Sequence, residues 1–507
     1  MENLTRRSFL GGLFLGATAM TAPSLVGCGP RAESGDDGEE EGRRNDPLKK
    51  KGPNLLIIHT DQQDLWTLGC YGGSLVSTPH IDSLAAGGAV LEQFFTNGAT
   101  CTPSRGCLMS GMYPHENGAY RNSEPMKSRA QGVVTFAHSL KDAGYKTGYI
   151  GKWHLAGAPS PGFRPADSMG FDDERYMYNS GHFKKFVDQP NGKPPKVSHE
   201  IGNHRTYTTD WMAAKTIAFL KEHAGDPFCL MVSIPDPHDP FEVRAPYSTM
   251  YAPKKMPIPA SYEPGTIDKA ALRRAKAQYC GMVKCIDDRV GEILAALDAL
   301  DLTKNTVVVF MTDHGDYMGE HGRMGKDFYY EEALHIPCIV RFPGHIPAGT
   351  RVTEMISMVD LAPTLLALMD VTNQGTMSGR DASAILRGGD GQGWTDEVHV
   401  HRYKQLFKDE GKGADTVNAF ACIFTPQYEL VVQEELPPLL FLRSDNETNL
   451  IDDALHADTR TDLAQRMLAH HRCVASPQLA WLEDEIRALL PPNTKLDEKE
   501  ACGAGAH

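Results

Sequence analysis

Asn54-Leu55-Leu56-Ile57-Ile58-His59-Thr60 is a short, apolar, partly β-branched run that stops abruptly at Asp61-Gln62. A run of this length bounded by polar residues reads as a strand buried on both faces. Three further runs have the same form. Residues 146–150 (KTGYI) lead into Gly151-Lys152-Trp153-His154, residues 227–234 (PFCLMVSI) into Pro235-Asp236-Pro237-His238-Asp239-Pro240, and residues 305–312 (NTVVVFMT) into Asp313-His314-Gly315. Helical patterns separate them. Thr78-Pro79 supplies an N-cap and a first-turn proline for a helix carried through residues 81–92, and others are predicted over 134–143, 211–223 and 270–300. Strands alternating with helices predict an α/β fold, with a large, mostly parallel sheet flanked by helices. Ligands bind such a sheet beyond the carboxyl ends of its strands. The polar clusters can therefore gather Asp61, Gln62, Lys152, His154, His238, Asp313 and His314 around one crevice. Any single cluster would read as no more than a turn or a helix cap.

The rest of the chain sets the boundaries. The parallel-sheet pattern fills residues 53–390. From 391 to 490 it gives way to short strands near 397–403, 419–424 and 428–433, followed by helices near 459–471 and 477–490. This predicts a smaller C-terminal α+β subdomain, with residues 491–507 as a tail. At the other end, Thr5-Arg6-Arg7-Ser8-Phe9-Leu10 carries the twin-arginine pattern, an apolar run extends to Val26, and Leu25-Val26-Gly27-Cys28 matches a lipobox. Residues 1–27 are thus expected to be an export signal. A lipid on Cys28 would then hold the mature chain at a membrane, in the periplasm or at the cell surface; a cleaved signal with an incidental Cys28 is the alternative. Residues 28–52 are polar and read as a tether.

The net charge of −14 argues against a nucleic-acid partner while leaving room for a local basic pocket. The eleven cysteines include Cys28 and Cys101, which have other assignments. Twin-arginine export carries folded chains out of a reducing compartment, so the remaining thiols are expected to be unpaired and mostly buried. Cys280 and Cys285 have poor metal-ligand spacing and read as core residues.

Cys101-Thr102-Pro103-Ser104-Arg105, followed by GCLMSG, adds a fifth element to the four strand ends. Here the chain resembles the formylglycine-dependent sulfatases of the alkaline-phosphatase-like superfamily. Cys-x-Pro-x-Arg is that family's modification signal, extended in this chain through Leu108, Ser110 and Gly111. Other family blocks occur in order: the first strand ending in Asp61, Thr78-Pro79-His80-Ile81-Asp82-Ser83-Leu84-Ala85, Gly151-Lys152-Trp153-His154, Asp313-His314-Gly315, and Gly325-Lys326 ahead of IPCIVRFPG at 336–344. The resemblance is clear over 53–390 and extends faintly to residues 446–450 (NETNL).

The resemblance implies that a formylglycine-generating enzyme oxidises Cys101 to an aldehyde. Its hydrate would attack the sulfur of a sulfate ester with one hydroxyl and expel sulfate with the other. Cys101 would sit at a helix N-terminus, where anions are favoured, with Arg105 reaching back to the hydrated group. Lys152 and Lys326 would contact sulfate oxygens, His154 would hold or deprotonate the hydrate, and His238 would protonate the leaving oxygen. Asp61, Gln62, Asp313 and His314, with residue 101, would hold a divalent cation. Oxygen ligands favour calcium, with magnesium and manganese as alternatives. Many family members have a second Asp in place of Gln62 and Asn in place of His314, which leaves the cation's identity open. His59, His115, Asn122, His321 and His335 are further polar candidates, each more readily read as structural. Export points to a sulfated saccharide as substrate. Two other readings stay open: a phosphodiester or phosphonate monoester hydrolase of the same superfamily, in which the Gln62 and His314 variant also occurs, and a non-catalytic lipoprotein that binds sulfated glycans. Specificity is expected to reside in residues 157–205 and in the C-terminal subdomain.

Overall fold

The computed structural model describes residues 52–157, 162–407, 415–474, 476–491 and 494. The predicted export signal, Cys28 and nearly all of the tether and tail lie outside them. No helix among the described residues is long and apolar enough to cross a membrane.

The main sheet has eight strands: β1 (Asn54–Asp61), β2 (Ala89–Phe95), β3 (Lys146–Lys152), β4 (Asp173–Tyr178), β5 (Phe228–Pro237), β6 (Thr306–Thr312), β7 (Cys338–Arg341) and β8 (Thr350–Ser357). Their order is β8-β2-β7-β6-β1-β5-β3-β4, and β7 alone runs antiparallel to its neighbours. Every residue of β1 is buried. Leu55 and Ile57 join one core, Leu56 and Ile58 the other, as the two-residue period of a strand requires. Each such fully buried side chain contributes roughly 1.5–3 kcal/mol.

Six helices cover the two faces: α1 (Pro79–Ala86), α2 (Cys101–Ser110), α3 (Phe136–Asp142), α4 (Thr208–Glu222), α5 (Lys269–Ala299) and α6 (Met358–Leu368). The first core takes Leu108 from α2, Phe136 from α3 and Leu365 from α6. The second takes Ile81 from α1, Trp211 from α4 and Ile286 from α5.

The helix expected to run from Thr78-Pro79 through Glu92 instead ends at Ala86. Gly87-Gly88 breaks it, and a side chain at Gly88 would lie 2.4 Å from the Val340 carbonyl oxygen. Only glycine permits that approach, and the chain then enters β2, where Ala89 pairs with Thr350 on one side and Val340 on the other. The sequence reading misses β2, β4, β7 and β8, whose apolar runs are short or interrupted by charges.

A second, antiparallel sheet runs in the order β9 (Val398–Arg402), β10 (Phe420–Phe424), β11 (Tyr428–Gln433), β12 (Leu436–Leu442). Pro437-Pro438 hid β12 from the sequence reading, and it lies at the sheet edge, where proline is tolerated. Helices α7 (Ala457–Cys473) and α8 (Ala480–Ala488) pack Leu463, Met467, Leu482 and Ile486 onto one face. The other face sets Val398, Val400, Phe420 and Phe424 against Phe95, Leu334 and Met355 of the main unit. Arg443 grips Glu331 with two bonds (2.5 and 3.0 Å), and the His115 Nδ1 meets the Tyr403 hydroxyl at 2.7 Å.

Candidate active site

The strands that end in polar clusters, β6, β1, β5 and β3, are consecutive neighbours in the sheet and parallel. Their carboxyl ends therefore line up, with Thr60 opposite Thr312 and Asp61 opposite Pro237. Gly151 sits at φ +109°, and a Cβ there would lie 2.0 Å from the Ser233 carbonyl oxygen. A glycine is what lets β3 turn past β5 and deliver Lys152 inward.

Helix α2 begins at Cys101 with Thr100 extended before it. Its first turn is anchored to the strand ends by hydroxyl groups. The Thr102 hydroxyl donates to the His154 carbonyl (2.6 Å) and the Ser104 hydroxyl to the Asp313 carbonyl (2.6 Å). The Thr102 backbone N–H donates to Asn122 Oδ1 at 3.0 Å, which accounts for Asn122 structurally. All ten residues of α2 are buried. Cys101 Sγ lies 3.1 Å from His314 Nε2, 3.8 Å from Lys152 Nζ and 3.9 Å from Asp61 Oδ1.

Arg105 organises the acidic pair. Its Nη2 reaches Asp61 Oδ2 at 3.0 Å and its Nε reaches Asp313 Oδ2 at 2.9 Å. Its Nη1 donates to the Lys152 carbonyl (2.9 Å) and Ser233 Oγ (2.8 Å). Where the sequence reading had Arg105 reaching toward residue 101, its hydrogen bonds go to the two carboxylates and to β3 and β5. One oxygen of each carboxylate is thereby held by Arg105. The Oδ1 of Asp313 accepts the backbone N–H of Gln62 (3.1 Å) and of His314 (3.0 Å).

The cationic side is equally connected. Lys152 Nζ sits 2.5 Å from Asp61 Oδ2 and 2.8 Å from His182 Nε2. Lys326 Nζ donates to Gln62 Oε1 (2.6 Å) and meets His238 Nε2 at 2.7 Å. Lys326 is brought there by Asp316, whose buried Oδ1 accepts the N–H of Met318 (2.8 Å) and Gly325 (2.9 Å) and so closes the loop. The Oδ2 of Asp316 takes the Gln62 amide nitrogen at 2.5 Å, which turns the Gln62 oxygen toward Lys326. Gln62 (φ +66°) and His154 (φ +59°) both occupy the left-handed region without being glycine, a strain that collects at functional sites.

Electrostatics separates the groups. Burial disfavours a Cys101 thiolate, but Lys152, Lys326 and His314 overcome it and hold the thiol well below its usual range. Burial likewise opposes ionisation of Asp61, and Lys152, His238 and Arg105 still hold its carboxyl far below the ordinary value. His154 is lowered, by burial first and then by Lys152, so its imidazole is neutral. His238 goes the other way: burial and Lys326 depress it, but Asp61 and the neighbouring Asp239 raise it above the usual histidine value. Asp239 Oδ1 is 3.0 Å from His238 Nδ1. His59, beneath Asp61 in β1, is lowered to about 3, by burial and then Arg105, and stays neutral.

Ligand atoms of Asp61, Cys101, Asp313 and His314 all lie within 4.8 Å of one another, a group able to hold a metal ion. The His314 Nδ1 lies 2.9 Å from the Gly315 carbonyl, which accepts a proton carried there, and Nε2 is turned to the centre of this group. Two carboxylates and an imidazole nitrogen fit a divalent cation. Asp61, His182 and His238 also cluster within 4.8 Å. Both ammonium groups already lie against these histidines, so this side suits an anion.

The sequence reading missed His182. Its ring stacks on His238 with centroids 3.6 Å apart and an interplanar angle of 9°. A lone histidine in a loop carries no local signal, and only the fold brings it to the site. Asp236, in the same cluster as His238, faces away, bonded to Lys184 (2.8 Å), Tyr207 (2.6 Å) and Thr209 (2.6 Å). His321 pairs with Glu332 and His335 with the Glu92 carbonyl, both at some remove from Cys101 in their contacts. Cys70, Cys107, Cys229, Cys280, Cys285, Cys338 and Cys422 are unpaired thiols, all but Cys70 buried.

A parallel sheet whose strand ends join an acidic pair, a thiol at a helix N-terminus and buried lysines defines a hydrolase of anionic esters with the alkaline-phosphatase-like architecture. Residues 53–371 match the Sulfatase family model, and residues 319–472 match the model described as N-sulphoglucosamine sulphohydrolase, C-terminal. The chain belongs to the sulfatase family and is a sulfuric ester hydrolase. It is 29% identical over 459 residues to the uncharacterized sulfatase YidJ of Escherichia coli, covering 84% of this chain and 88% of that one. It is 27% identical over 436 residues to an N-acetylglucosamine-6-O-sulfatase of Bacteroides thetaiotaomicron (70% and 75% covered). The fold also matches the crystal structure of a phosphonate monoester hydrolase of Agrobacterium radiobacter, with a TM-score of 0.69, 24% identity, and 85% and 97% of the chains covered.

Proposed function

We propose that the protein cleaves a sulfate ester on a saccharide, with residue 101 as nucleophile after a maturation enzyme has converted it to formylglycine (3-oxoalanine). The observation that carries this reading is the setting of Cys101 Sγ, 3.1 Å from His314 Nε2 and 3.8 Å from Lys152 Nζ at the start of a buried helix. Lys152, Lys326 and His314 favour an anion at position 101 and outweigh burial and Asp61, which oppose it. Formylglycine at this position supplies a hydroxyl nucleophile together with an internal means of releasing sulfate. Asp61, Asp313, His314 and residue 101, with the oxygen of Gln62, would hold a divalent cation, calcium first and magnesium or manganese as competitors. That ion supplies Lewis-acid polarisation of a sulfate oxygen.

The chain's own groups divide the remaining work. Lys152 and Lys326 neutralise sulfate oxygens. His154, held neutral, accepts a proton at position 101. His238, held protonated to higher pH, donates one to the leaving alcohol; two titratable groups pushed apart in this way are suited to base and acid roles. Arg105 keeps Asp61 and Asp313 aligned. The saccharide substrate rests on the N-acetylglucosamine-6-O-sulfatase relative and on the predicted export. Delivery by the twin-arginine route and a lipid on Cys28 belong to this proposal, and loss of membrane association in Cys28→Ala tests them.

Matured enzyme should turn over aryl sulfates faster than aryl phosphodiesters or phosphonate monoesters. The reverse order would transfer the assignment to the second reading, which the phosphonate monoester hydrolase fold match favours. Chelation should lower kcat by at least about 100-fold, with recovery on adding calcium. An unchanged rate in chelator would remove the cation from the reaction.

The pH profile follows from His238. Its pKa is raised, so the imidazolium needed for proton donation is present at low and neutral pH and is lost as pH rises through the folded value. Asp239→Asn removes one of the charges that raises it. The alkaline limb of kcat/KM should then move to lower pH, and an unmoved limb would assign the acid elsewhere.

A further inference from the structure

The C-terminal sheet meets the segment that follows α2 through a pair of tyrosines. The rings of Tyr120 and Tyr403 pack edge to face with centroids 5.6 Å apart. Each is followed or preceded by an arginine. Arg121 lies over the Tyr120 ring at 5.4 Å, and its guanidinium has no ion pair or hydrogen bond among the described residues, although its Nε is shielded from solvent. Arg402 is buried, with Nη1 on the Tyr403 carbonyl (2.7 Å), Nη2 on Asp327 Oδ1 (2.9 Å) and Nε unpartnered.

Both arginines are tied by one residue to the sulfate-binding machinery. Arg121 precedes Asn122, whose side chain accepts the Thr102 N–H in the first turn of α2. Arg402 is held by Asp327, the residue after Lys326, and Asp327 adopts φ +98°, a strained conformation for a non-glycine residue. Asp327 thus neutralises Arg402 and leaves Arg121 without a carboxylate partner among the described residues. Their charges are close enough that Arg121, after burial, depresses the pKa of Arg402. Like charges in a half-buried setting repel strongly, and an unsatisfied guanidinium nitrogen there is costly.

We propose that Arg121 and Arg402 form a second anion-binding position beside the sulfate site, so that the substrate carries a second anionic group near the scissile sulfate. This rests on the sulfate-ester reading and narrows its substrate class to polyanionic saccharides. The planar guanidinium fork matches a carboxylate or a second sulfate. Arg121 is the contact donor, because Asp327 already engages Arg402. The C-terminal subdomain thus supplies part of the specificity surface.

The test compares matured full-length enzyme with Arg121→Ala and Arg121→Lys. The substrates are phenyl sulfate, the 2-, 3- and 4-carboxyphenyl sulfates, and the three benzenediol bis-sulfates. In Arg121→Ala, kcat/KM for phenyl sulfate should change less than about twofold, while at least one doubly anionic substrate should lose about tenfold or more through KM. Arg121→Lys should recover part of that loss. Loss confined to the carboxylates assigns the position to a carboxylate, and loss confined to the bis-sulfates assigns it to a second sulfate. An equal change for phenyl sulfate and every doubly anionic substrate overturns the proposal. If the wild type hydrolyses no aryl sulfate at all, the sulfate-ester reading fails, and this proposal with it.

Discussion

Cys101→Ala leaves the protein folded and reduces kcat by at least about 10⁴-fold, the scale expected when a nucleophile is removed. Cys101 forms no disulfide, and its buried thiol is the smallest part of a helix otherwise fixed by Thr102 and Ser104. Removing one sulfur atom costs the fold about 1 kcal/mol. What disappears is the group on which Lys152, Lys326 and His314 focus their charge. Turnover of an aryl sulfate and a thermal melt, measured side by side, check both halves. Retention of more than about 1% of the wild-type rate would show that residue 101 is not the nucleophile. Mass spectrometry of the peptide spanning residue 101, from protein made in a host that performs the maturation, gives the complementary result: an aldehyde there supports catalysis, and an untouched thiol favours the glycan-binding lipoprotein.

The second large effect belongs to Arg105. Arg105→Met should destabilise the chelator-treated protein by about 3–5 kcal/mol, because it leaves two buried carboxylates without their shared cation. Asp61 and Asp313 are fully buried, and Arg105 bonds both at 3.0 and 2.9 Å. Those carboxylates raise the Arg105 pKa even though burial opposes it. Activity should fall about 100-fold or more, since the carboxylates that hold the cation would no longer be aligned. Arg105→Lys keeps the charge but not the fork, so it should restore stability more than turnover. Denaturant unfolding and kcat/KM read the two effects separately. A stability loss below about 1 kcal/mol would show that the acidic pair does not depend on Arg105.

The same residue shows where a sequence reading stops. Cys-x-Pro-x-Arg marks Arg105 as important, yet its position four residues after Cys101 suggested a role at the nucleophile. Its partners are Asp61 and Asp313, 44 and 208 residues away in the chain. Gln62 is a similar case. Its place after Asp61 points to the cation, while the structure also turns its oxygen to Lys326 through Asp316, a residue with no distinguishing local pattern.

By itself, the sequence determined the chemistry at the ends of β1, β3, β5 and β6, the start of α2, and the alternation of strands and helices. These are local properties: burial period, turn residues and motif spacing are written within a few neighbours along the chain. The tertiary structure alone decided that β6, β1, β5 and β3 lie side by side, that His182 stacks on His238, and that Tyr120, next to Arg121, packs on Tyr403, next to Arg402. Strand order and charge pairing join residues far apart in sequence, and they are chosen by how the two hydrophobic faces of the sheet are covered, which no single segment encodes.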